Sequence, residues 1–269
     1  MSPDEVEKLR VLLIDAPVGR HFAQIHRDSA ALVESVGQFI ETGLTRGNGV
    51  IVLADAKNTD LFLQRLRRGE LDPEHFRRSG QLTLLDADSM LERIMRGSMP
   101  DWTEFRRTIG SVLESVQTLG RSATRVYGEL VSLLWRSGRA PAAIRLEEYW
   151  NEMARLYPFC LFCGYMIDGT DSESYAHPIQ EIGRTHPDVL ATEEDTRFQA
   201  ALDAASRDVF GIPLSEMLSL AGLEQNPGEH RLPTGQRTML WIMRNMPGSS
   251  ADVLERARRY YQKPPPAAS

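Results

Sequence analysis

A chain of 269 residues with 42% hydrophobic and 25% charged residues has a globular composition, with room for one large domain and a small appendage. Its formal net charge of -6 gives no global attraction to nucleic-acid phosphates or anionic lipid, so neither is favoured as a partner. No apolar run approaches the roughly 18 residues of a membrane span. The start, Met1-Ser2-Pro3-Asp4-Glu5, is charged where a signal peptide turns apolar, so a cytoplasmic protein is expected.

In chain order, Val11-Leu12-Leu13-Ile14 reads as an extra edge strand or a packing arm. His21-Phe22-Ala23-Gln24-Ile25-His26 alternates as a strand, and Asp28 or Ser29 caps a helix carrying Leu32, Val33, Val36, Phe39 and Ile40 at helical spacing up to Gly43. Gly49 to Ala54 is a continuous apolar run, as in a strand buried on both faces. Leu61, Leu63 and Leu66 mark a further helix, Gln81 to Asp86 a strand and Trp102 to Leu119 a long helix. Then come the Arg125 strand, helices from Leu130 to Trp135 and from Ile144 to Leu156, and the strand starting at Phe159. This alternation predicts an α/β fold, a mostly parallel sheet with helices on both faces, whose strand ends share one edge.

After residue 170 the pattern changes. Asp171 to Ser174 and Pro178 to Pro187 read as connecting chain, and helices are expected over Thr196–Phe210, Pro213–Ala221, Gly235–Met246 and Ser249–Gln262. The expected organisation is an arm over 1–20, an α/β domain over 21–190, a small all-α region over 191–262 and a disordered tail over 263–269.

The first strand-to-helix turn, His26-Arg27-Asp28-Ser29, has neither the glycines nor the lysine of a phosphate-binding loop, and Asp28 would repel phosphate at the helix start. ATP hydrolysis is therefore disfavoured. Arg27 remains either a contact to a small polar ligand or a solvated side chain. Glu129, just past a strand, suits a general base or a ligand-holding carboxylate, or else a structural acid that pairs with Arg125 or caps a neighbouring helix. Glu147 and Asn151 share a helix face, a spacing that could bind a cation, but no histidine accompanies them in sequence. His21 and His26 fall on opposite strand faces, which disfavours a joint metal site. Cys160 and Cys163 also point to opposite faces and read as buried thiols. No metal, cofactor or catalytic residue is expected, and no Gly-x-Ser-x-Gly elbow is present.

His21 to Asp28, Phe39 to Leu44, Arg125 to Val131, Ala143 to Asn151 and Leu161 to Tyr165 together resemble the MEDS domain, a sensory module of methanogens and methylotrophs. The resemblance spans roughly residues 20 to 190, with His186-Pro187 as a trailing element. It implies a RecA/KaiC-like fold with a degenerate P-loop and a hydrocarbon-derived small molecule as ligand. His21, Gly128, Glu129, Glu147, Asn151 and Cys163 are the motif positions it carries over. Neither a histidine-kinase core nor a DNA-reading module is expected around it.

The resulting expectation is a non-enzymatic cytoplasmic sensory protein, most simply a homodimer, that binds a small organic ligand or a signalling partner and regulates a kinase or transcription system. Its ligand-binding candidates are His21, His26, Arg27, Asp28, Asp55, Arg125, Glu129, Glu147 and Asn151. The alternatives are a regulator contacting DNA through the C-terminal helices, where Arg256, Arg258 and Arg259 form a modest basic patch, and a residual nucleotide-binding protein.

Overall fold

The computed structural model describes residues 7–121, 123–215, 218 and 229–262. The chain divides into two compact units, one ending at Met166 and the other beginning at Ile167.

In the first unit, strands β1 (His21–His26), β2 (Gly49–Ala54) and β3 (Leu82–Asp86) alternate with helices α1 (Ser29–Thr45), α2 (Ala56–Arg68) and α3 (Pro73–Arg78). Helix α4 (Ala87–Ile94), a two-stranded hairpin of β4 (Met95–Arg96) and β5 (Met99–Pro100), and helix α5 (Trp102–Thr118) follow. Strand β6 (Thr124–Gly128), helices α6 (Leu130–Arg136) and α7 (Ala140–Leu156) and strand β7 (Cys160–Met166) complete the unit. Five of these strands form a parallel sheet in the order β3-β2-β6-β7-β1, flanked by helices and consistent with the expected RecA-like α/β architecture. Every residue of β1, β2 and β6 is buried, which is why β2 reads as a continuous apolar run, while β1 and β6 also carry His21, Gln24, His26 and Arg125 into the interior.

Register sorts the side chains onto two faces. His21 pairs with Leu161, Ala23 with Cys163 and Gly128 with Cys163, so these residues share one face, the one covered by α7. The opposite face carries an aromatic layer in which Phe22 stacks on Phe162 at 4.8 Å and both rings meet Phe39 of α1 edge to face. Gly164, two residues on from Phe162 and so on this side, has no room for a side chain, since a Cβ there would sit 2.6 Å from the Tyr127 hydroxyl.

The segment before β1 is not a strand. Residues Arg10–Asp15 form a π-helical turn that buries Leu12 and Leu13, which makes it the packing arm of the two readings. Arg125 explains its position: the guanidinium, 1% exposed, donates to the carbonyls of Leu13, Ile14 and Phe39 and to Asn48 Oδ1 at 2.7–3.2 Å. Burial pushes this guanidinium down to about 10. In α2 the buried stripe is Phe62, Leu63 and Leu66 rather than one starting at Leu61.

The second unit contains helices α8 (Ser172–Ala176) and α9 (Pro178–Thr185), where connecting chain was expected. Asp171 caps α8 by accepting from Glu173 N at 3.2 Å, and Pro178 opens α9 with an already helical φ. Strand β8 (Asp188–Leu190) and helices α10 (Glu193–Phe210), α11 (Thr234–Asn245) and α12 (Pro247–Gln262) follow. Thr192 and Asp195 form a reciprocal capping box that starts α10 three residues earlier than its apolar pattern suggests. The expected helix at Pro213–Ala221 falls largely outside the described residues. The break at Asn226-Pro227-Gly228 and the tail over 263–269 lie wholly outside them.

Candidate functional site

Apart from Arg125, which holds the N-terminal arm, the candidate residues separate into two groups. The first gathers at the carboxyl edge of the sheet, where β2 leads toward β3 on one side and β6 leads toward β7 on the other. This reversal of direction is the position at which open α/β sheets build a binding crevice. Glu129 follows β6 directly and is 3% exposed. Its Oε1 accepts from the Asp55 backbone N–H, and its Oε2 accepts from Asn58 Nδ2 at 2.8 Å and, more weakly, from the Tyr127 hydroxyl at 3.5 Å. Asp55 in turn caps α2 through Asn58 N at 2.7 Å, so one carboxylate ties the end of β6 to the start of α2. Burial pushes Glu129 up to about 7, while the bonds from Asp55 and Asn58 pull it back. No ion pair joins Glu129 to Arg125, because Arg125 is committed to the carbonyls of the N-terminal arm.

Aspartates occupy the helix starts along this edge. Asp28 accepts from Ala30 N and Ala31 N, both at 2.9 Å, and Asp55 and Asp86 cap α2 and α4 in the same way. The amides that would hold a phosphate at these helix N-termini already have carboxylate partners. Arg27 is half-buried beside Asp28. His26, at the end of β1, is fully buried, with neither ring nitrogen bonded among the described residues, and burial pushes it down to about 3.

The second group lies between the sheet and α7. Glu147 and Asn151 project from one face of α7 toward β1 and β7. There His21 Nδ1 lies 3.0 Å from Asn151 Oδ1, and His21 Nε2 lies 3.3 Å from Cys163 Sγ and 3.5 Å from Glu147 Oε2. Tyr165 donates its hydroxyl to Glu147 Oε1. His21, Glu147, Cys163 and Tyr165 are each at most 3% exposed. Burial pushes His21 down to about 4 and Glu147 up to about 8, and it raises the Cys163 thiol and Tyr165 phenol well above their ordinary ranges. Burial thus disfavours the charged form of every member of this group.

Residues 20–187 match the family described as MEDS, the MEthanogen/methylotroph, DcmR Sensory domain. The chain belongs to the MEDS family. No curated protein and no solved structure matches it. Membership in this sensory-domain family points to a role in signalling. All the motif positions carried over by the resemblance fall within the MEDS match, and His21, Glu147, Asn151 and Cys163 converge on one point although up to 142 residues separate them.

The structure also supplies what the sequence reading lacked. A histidine does accompany Glu147 and Asn151, arriving from the first strand. Asn58, which completes the Glu129 clasp, and Tyr165, which holds Glu147, were not candidates. The signal for Asn58 was available, as an Asn three residues after a capping Asp with a new helix between them. Cys160 and Cys163 are both free and buried, as opposite faces require. No described helix is long and apolar enough to cross a membrane.

Proposed function

We propose that this chain is a non-enzymatic sensory module whose ligand or partner is read at the carboxyl edge of the sheet, through the Glu129 clasp, and whose second unit passes the state to a signalling protein such as a kinase or transcription regulator. The observation that carries this reading is the clasp itself. One buried carboxyl group ties the end of β6 to the start of α2 at the point of strand reversal, so whatever spreads or closes this edge must lengthen or shorten those bonds. A ligand shifts such an equilibrium only by binding one arrangement better than the other.

The aspartate-capped helix starts favour an uncharged or cationic ligand over a nucleotide, in line with small hydrocarbon derivatives. DNA contact through the C-terminal helices is disfavoured by the arginines there. Arg256 bonds Asp252 at 2.8 Å, Arg258 donates to Thr170 O at 2.8 Å, and Arg259 lies 4.0 Å from Glu255.

The test is hydrogen exchange on the full chain with dichloromethane, methanol and magnesium-ATP as separate probes. A small neutral probe is expected to change protection at the Asp55 and Asn58 amides, and Glu129→Gln is expected to abolish that change. An exchange response to magnesium-ATP alone would replace this reading with the nucleotide-binding one.

A further inference from the structure

We propose that His21, Glu147 and Cys163 form a buried binding site for a divalent transition-metal ion of the zinc class. One donor atom from each residue lies within 4.8 Å of the others, and the closer separations have the size that coordination requires. A tetrahedral zinc ion with bonds of about 2.0–2.1 Å to nitrogen or oxygen and about 2.3 Å to sulfur has a nitrogen-to-sulfur edge of about 3.6 Å and a nitrogen-to-oxygen edge of about 3.4 Å. The corresponding distances here are 3.3 Å and 3.5 Å.

The partners around these atoms set their orientation for coordination. Asn151 presents its carbonyl oxygen to Nδ1, so the ring carries its proton there and turns the Nε2 lone pair toward sulfur and carboxylate. A second hydrogen bond of this kind is what fixes metal-binding imidazoles. Tyr165 occupies Oε1 of Glu147, which leaves Oε2 as the oxygen facing His21.

Charge also balances. A thiolate from Cys163 and a carboxylate from Glu147 together offset the +2 charge of one divalent ion, so the loaded buried site is neutral. Thiolate together with imidazole selects zinc, cobalt or copper over magnesium or calcium. Cys160, on the other face of β7, takes no part.

This inference stands independently of the sensory reading, because its readout is bound metal. The full chain is stripped with chelator, unfolded and refolded under reducing conditions with zinc or cobalt, since the site is buried and an ion must enter while it is open. The expected result is one ion per chain by mass spectrometry of the metal, with a near-ultraviolet thiolate-to-cobalt charge-transfer band. Cys163→Ser removes the band, Cys160→Ser keeps it, and Glu147→Gln weakens metal retention at least tenfold. The proposal is overturned if wild-type chain, shown by circular dichroism to be refolded, retains no metal. A cobalt complex without the thiolate band overturns it equally. Should Cys163→Ser fail to fold, the wild-type band with its survival in Cys160→Ser decides alone.

Discussion

Two buried glutamates, one just past β6 and the other inside α7, have opposite surroundings. Glu129 is met by nitrogen donors, the Asp55 amide and the Asn58 side chain, which saturate its carboxylate and make it a tie between β6 and α2. Glu147 is met by an imidazole, a thiol and a phenol. A carboxylate surrounded by N–H groups holds a structure closed. One that shares its space with other electron-pair donors is arranged for something those donors can bind in common. Burial raises both acids, so a raised value alone separates neither role.

The contrast breaks most directly at Glu129. Glu129→Ala strands two buried donors and is expected to cost about 3 kcal/mol in urea unfolding. Glu129→Gln keeps the shape and removes the titration. Because the folded carboxyl sits at about 7 against an ordinary 4.5, its contribution to stability is complete below pH 4.5 and is lost as pH rises through 7. Wild type is expected to lose about 3 kcal/mol across that window relative to Glu129→Gln. Equal slopes in the two proteins would mean that the carboxyl group is solvated and the clasp open.

His26 has the opposite sign. With its folded value near 3 against an ordinary 6.5, it stabilises fully above pH 6.5 and loses that contribution as pH falls toward 3. Between pH 6.5 and 5 this amounts to about 2 kcal/mol, and His26→Leu should flatten that part of the acid limb. An unchanged limb in the variant would show that His26 is reached by water.

Gly164→Ala tests the aromatic face that backs both acids. The added methyl meets Tyr127, and the expected loss is about 1–2 kcal/mol in thermal melting. The smallest effect belongs to Asp28→Ala, about 1 kcal/mol from the lost cap, with no change in the exchange response to any neutral probe. A lost response would return Asp28 to the ligand contacts.

The parallel sheet was legible because β2 is apolar from Gly49 to Ala54 and ends at Asp55, β1 shows strand alternation, and strand patterns alternate with helical ones along the chain. Short helices escaped for a physical reason. Pro73–Arg78 and Pro178–Thr185 are too brief to show an apolar stripe, and only Pro at N1 and an acidic cap betray the first of them. Glu129 stood out because a strand followed by an acid is a local pattern. The convergence of His21, Glu147 and Cys163 is a product of register, since β7 must lie beside β1 to bring Cys163 level with Ala23. Nothing within a few residues of His21 announces that neighbour. Arg125 shows the reverse error, a charge beside a candidate acid in sequence that folds toward the other end of its strand and holds an arm in place.

The most direct test of the contrast is native mass spectrometry of full-length wild type, Cys163→Ser and Glu129→Ala after refolding with zinc. Wild type and Glu129→Ala are each expected to carry the mass of one zinc ion less two protons, and Cys163→Ser is expected to carry none. A bare wild-type chain, or zinc retained by Cys163→Ser and lost by Glu129→Ala, would contradict that contrast.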